Sequence, residues 1–141
     1  MKKLNNSNIQ IISEKVQIIL WLIRECDVFS TIKLSILSSI LFKAKNSMTF
    51  LSKIKNDYFA KLIKFSNISL EELSIDIKND FICMDLLCKK NIIAINKCDV
   101  TINELPEIIE LDYLTDKVKV GLKLIVCLTD DSFIDEVLKY V

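Results

Sequence analysis

The sequence predicts a mainly α fold, a compact helical domain with a winged-helix-like β-hairpin, and one domain over residues 1–141. Three observations predict it. The 141 residues include one Gly and one Pro, and so few breakers favour helices. Apolar residues make up 51% and charged residues 27%, a balance that buries a core and argues against disorder. The helical spacing gives way at Lys89-Lys90-Asn91, where Ile92-Ile93-Ala94-Ile95 begins a short β-branched run.

Ile9 to Arg24 reads as the first helix, with Ile12, Val16, Ile19/Leu20 and Ile23 as its stripe. Asp27-Val28-Phe29 breaks it, and Ser30 or Thr31 can cap the next helix. That helix, Ile32 to Phe42, is apolar nearly all round apart from Ser35, Ser38 and Ser39, which predicts a central buried position. Lys43-Ala44-Lys45-Asn46 is a basic link. Ser47 then opens a single expected helix through Met48, Leu51, Ile54, Tyr58 and Leu62.

Ser69 with Glu72 has capping-box spacing and starts a helix whose stripe runs through Leu70, Leu73, Ile77, Phe81 and Met84, with an expected break at Asn79-Asp80. The strands are Ile92–Asn96 and Val100–Ile102, turned by Lys97-Cys98-Asp99. Pro106 starts an acidic segment, either an extended connection or a short helix with Pro at its start. A helix around Tyr113 to Leu128 contains Gly121. Gly inside a helix costs about 1 kcal/mol relative to Ala, so this one marks close packing. Thr129-Asp130-Asp131 caps a final amphipathic stretch, Phe133 to Val141.

The composition excludes several chemistries. Phosphate-cradling loops and dinucleotide fingerprints need glycines that this chain lacks. With no His there is no Ser-His-Asp triad and no HExxH zinc site. The expectation is a protein that is not an enzyme and carries no cofactor or metal. Cys26, Cys83, Cys88, Cys98 and Cys127 form no CxxC, and they read as buried or half-buried free thiols in a reducing cytoplasm, with a Cys83/Cys88/Cys98 metal cluster as the alternative. The basic opening Met1-Lys2-Lys3 resembles a signal peptide, but Ser13, Glu14 and Lys15 interrupt the apolar run. The longest such run, Ile18 to Ile23, is far below the roughly 20 residues that span a bilayer, so a cytoplasmic location without membrane contact is expected.

Net charge is zero, yet residues 1–66 hold eleven Lys/Arg against four acids (+7), and residues 67–141 hold eight Lys against fifteen acids (−7). The asymmetry either steers a partner or nucleic acid, or neutralises itself as the halves pack. The basic candidates for a nucleic-acid or partner face are Lys43, Lys45, Lys53, Lys55, Lys61 and Lys64, the last four on one expected helix. Phe50, Tyr58, Phe59 and Phe65 between them fit either base stacking or a core. In a DNA-reading winged helix the helix before the wing is basic. Here it offers Glu72, Asp76, Asp80 and Asp85, read as a solvated acidic face that repels phosphate. Asp76 and Asp80, four apart, are the alternative metal reading.

The order of these elements resembles the small middle component of bacterial three-component ABC-ATPase systems, the group that includes Lamassu-type anti-phage defence. The features that carry the resemblance are the apolar first helix, Leu34 to Phe42 followed by Lys43-Ala44-Lys45-Asn46-Ser47, and the Phe50-Leu51 helix. The Phe81 to Ile95 helix-to-strand unit and Val120-Gly121-Leu122-Lys123-Leu124 complete the set. The family usually carries a more basic 43–47 segment with Pro, His and Arg, from which this chain departs. The resemblance implies a non-catalytic adaptor between an SMC-like coiled-coil ATPase and an effector, commonly a nuclease; weak non-specific DNA contact is expected beside it from the Lys53, Lys55, Lys61 and Lys64 face. The alternative is a winged-helix DNA-binding transcriptional regulator.

Overall fold

A computed structural model describes residues 6–141, with side chains from residue 8 onward. The basic opening read against a signal peptide begins outside them. Helix α1 (Asn6–Cys26) is amphipathic in its first half, but Ile18 to Ile23 are all buried, so its second half is enclosed. Asp27, in the left-handed region at φ 53°, ends it. Ser30 caps α2 (Thr31–Ala44) by accepting from the Lys33 N–H at 3.4 Å. As expected, α2 is central: Leu34, Leu37, Ile40, Leu41, Ser38 and Ser39 are fully buried, and it packs on α1 and on α4 and α5, defined below.

The single helix expected from Ser47 to Leu62 is interrupted. A 3₁₀ turn (Lys45–Ser47) leads into the one-turn α3 (Met48–Leu51), an irregular stretch follows, and α4 is Tyr58–Ser66. Ser47 makes no side-chain cap, and Asp57 takes φ 54° immediately before α4. Leu51 and Leu62 are both buried, and the bend between them lets α3 and α4 each press an apolar side into the core.

Helix α5 (Leu70–Lys89) starts at the expected Ser69 cap, which accepts from the Glu72 N–H at 3.1 Å. It runs through Asn79-Asp80 without a break. Its buried side is Leu73, Asp80, Cys83, Met84 and Leu87, whereas Leu70 and Phe81, placed on the core stripe by sequence, are exposed. Strands β1 (Ile93–Asn96) and β2 (Asp99–Ile102) follow as an antiparallel hairpin, with Ile93 opposite Ile102 and Lys97 at φ 58° in the turn. The α1–α2 junction pairs with it: the Val100 N–H donates to the Phe29 carbonyl at 2.8 Å and the Thr31 N–H to the Cys98 carbonyl at 2.9 Å.

After the hairpin the Pro106 segment is an extended connection. The Ile109 N–H donates to Gln17 Oε1 at 2.9 Å and Tyr113 OH to Glu14 at 2.7 Å, which ties it to α1. Helices α6 (Asp116–Val126) and α7 (Asp130–Leu138) complete the chain, the second capped by Thr129. Phe133 and Val137 are the buried side of α7, which packs on α2, and the Phe133 ring lies 6.0 Å from that of Phe59 on α4. No helix among the described residues is long and apolar enough to cross a membrane.

Candidate interaction surface

The irregular stretch between α3 and α4 forms one wall of a concavity whose other wall is α6. Backbone donors from Ser52, Lys53 and Ile54 return to the carbonyls of Met48, Phe50 and Leu51, and Lys117 of α6 clasps the Ser52 carbonyl at 3.1 Å. Tyr58, at the start of α4, lies flat against Gly121 of α6. A Cβ at position 121 would sit 2.6 Å from Cγ and Cε1 of the Tyr58 ring, so only Gly permits this approach. Burial raises the Tyr58 hydroxyl above its ordinary pKa.

Between these elements opens a groove of about 890 Å³. Ile54, Tyr58, Val120 and Leu124 supply its apolar lining, and Lys53, Lys55 and Lys117 stand against Asp57, Asp116 and Glu136, so its charge is of both signs. Val120 is 69% and Leu124 83% exposed, an unusual cost for two apolar side chains that project from one helix. Sequence reasoning placed α6 correctly but read no surface there. The four-residue step from Val120 to Leu124, off the Val118/Leu122 core positions, was the available signal.

The six basic residues do not share one face. Lys43 is paired with Glu72. Lys45 bonds Glu14 at 3.0 Å and covers the Phe42 ring at 4.3 Å. Lys53 and Lys55 stand in the irregular stretch beside the groove, while Lys61 and Lys64 of α4 line a separate depression with Lys139. The break at Ser52–Asp57 is what separates the two pairs.

Asp80, assigned by sequence to a solvated acidic face, is buried. Both its carboxylate oxygens accept from Lys15 Nζ, at 3.1 and 3.2 Å, and Ser39 Oγ donates at 2.5 Å. Lys15 is 1% exposed and Asp80 0%. Burial raises the Asp80 pKa, opposed by the Lys15 charge and the Ser39 hydrogen bond. Asp76 is partly exposed whereas Asp80 is buried on Lys15 and Ser39, so the two carboxylates do not share an environment. No cluster of three or more metal-ligating side chains occurs among the described residues.

The thiols divide. Cys83 is buried and Cys26 and Cys88 half-buried, but Cys98 at the hairpin tip and Cys127, expected in an apolar environment, are exposed. Among the described residues two ion pairs, Lys15–Asp80 and Lys43–Glu72, join the basic and acidic halves of the chain.

No protein-family model matches the sequence, and no curated protein or solved structure gives a significant match.

Proposed function

We propose that this protein is a non-catalytic adaptor, which works by docking other proteins against the groove between the Ser52–Lys55 stretch and α6. The exposure of Val120 and Leu124 at the edge of a concave groove lined by charges of both signs is the observation that carries the reading. Apolar side chains so exposed mark interaction sites. The sequence resemblance names the partner class: an SMC-like coiled-coil ATPase and an effector subunit of a bacterial defence complex, in the cytoplasm. Lys53 and Lys55 add a weak, salt-sensitive contact to DNA or to acidic side chains of the partner.

Co-expression with the flanking genes, followed by size exclusion at low and high salt, tests this. The adaptor co-elutes with the ATPase at both salts, because apolar contacts dominate. A protein that elutes alone at both, yet binds a defined duplex tightly, is a DNA-binding regulator instead.

A further inference from the structure

Helix α5 carries a second outward feature, independent of the groove and of the adaptor reading. Ile75, Asn79, Ile82 and Leu86 follow one another at steps of four, three and four residues, the spacing of a coiled-coil seam. Ile75 is 58%, Ile82 43% and Leu86 39% exposed. The buried side of the same helix, from Leu73 through Asp80 and Cys83 to Leu87, faces the opposite way. A helix laid on the seam therefore meets no part of the core that α5 already covers. Lys78 and Asp85 flank the seam on one side, seven residues apart, with exposed Phe81 between them.

We propose that α5 is a self-association surface: two copies of this chain pair antiparallel along the Ile75–Leu86 seam, related by a two-fold axis beside residues 80 and 81. The charges choose this occupant and this direction. The two-fold operation sets Ile75 against Leu86 of the partner subunit and Asn79 against Ile82 of the partner subunit, and by symmetry the reverse. In antiparallel coiled coils the flanking positions on the same side meet, so Lys78 comes beside the partner's Asp85 at both ends. A parallel pair would direct Lys78 towards the Cys83 position, which is buried, and would lose the match. Within one chain Asp85 bonds Lys89 at 3.0 Å, but both side chains are more than half exposed, so that bond is easily shared. Asn79 in the seam limits the affinity and disfavours other registers.

Sedimentation of the full chain over a range of concentrations at low salt is the test. A reversible dimer is expected, and Ile82→Glu, or independently Leu86→Glu, weakens it about tenfold or more by placing charge in the seam. Lys78→Asp and Asp85→Lys each weaken it about two- to fivefold, and the double exchange restores it. Circular dichroism of every variant matches the parent, because these side chains face solvent. A monomer at all concentrations overturns the proposal. So does a dimer indifferent to Ile82→Glu, or single charge reversals that the double exchange does not rescue.

Discussion

Replacing Lys15 by Met removes the only cation among the described residues that touches the Asp80 carboxylate, which is enclosed by α1, α2 and α5. Removing one partner of a buried ion pair costs about 3–5 kcal/mol, a third or more of the stability of an ordinary domain. The cost comes from stranding the carboxylate, with only the Ser39 hydroxyl left to serve it. The pH dependence follows from sign. Asp80 has its folded pKa raised by burial, and without Lys15 it rises further. An acid with a raised folded pKa contributes full stability below its unfolded pKa and loses it as pH climbs through the folded one. The Lys15→Met deficit is therefore largest at neutral pH and shrinks on acidification towards the ordinary carboxylate range. Urea unfolding at several pH values measures it. Lys15→Met combined with Asp80→Leu recovers most of the loss, since a well-packed apolar pair replaces a buried ion pair at little cost. A Lys15→Met deficit below about 1 kcal/mol at neutral pH, or one that does not change with pH, refutes the reasoning.

Three further outcomes are expected. Gly121→Ala gains about 1 kcal/mol of helix propensity but drives a methyl into the Tyr58 ring, so thermal unfolding shows a net loss of about 1–2 kcal/mol, relieved in the Tyr58→Ala background. Ser69→Ala removes the α5 cap and costs about 1 kcal/mol in urea unfolding, whereas loss of a larger amount would mean that Ser69 has a further role. Cys83, pushed up to about 12 by burial and by the Asp80 charge, resists alkylation at neutral pH, as does Cys26, pushed up to about 12 chiefly by burial; exposed Cys98 and Cys127 react first, as peptide mass spectrometry will read.

Local chemistry was legible in the sequence. Ser30, Ser69 and Thr129 each begin a helix because their hydroxyls satisfy an otherwise unpaired N–H, and the sequence shows the residue that does so. The hairpin was legible because β-branched residues crowd Ile92–Ile95, and Gly121 because nothing but close packing explains it. The break at Ser52–Asp57 was not, because it contains neither Gly nor Pro and depends on Asp57 adopting a left-handed backbone. On α5 apolar residues occur all round, at 75, 77, 81, 82, 84 and 86, so periodicity cannot choose the buried face. An acid defaults to solvent, and that hid Asp80. Yet Lys15 lies three after Ile12 and four before Ile19, and Asp80 seven after Leu73 and seven before Leu87, so both charges stood on core stripes. The groove joins stretches more than sixty residues apart in sequence, Lys53 to Val120, and no local pattern could announce it.

The most direct test of the docking surface is a single substitution on its rim. Leu124 is 83% exposed and touches no ion pair, so Leu124→Glu leaves helix content and unfolding midpoint unchanged. Co-purified with the products of the flanking genes, the unsubstituted protein is predicted to carry the ATPase through size exclusion at high salt, and Leu124→Glu to elute without it. An ATPase complex that forms equally well with Leu124→Glu would contradict the account.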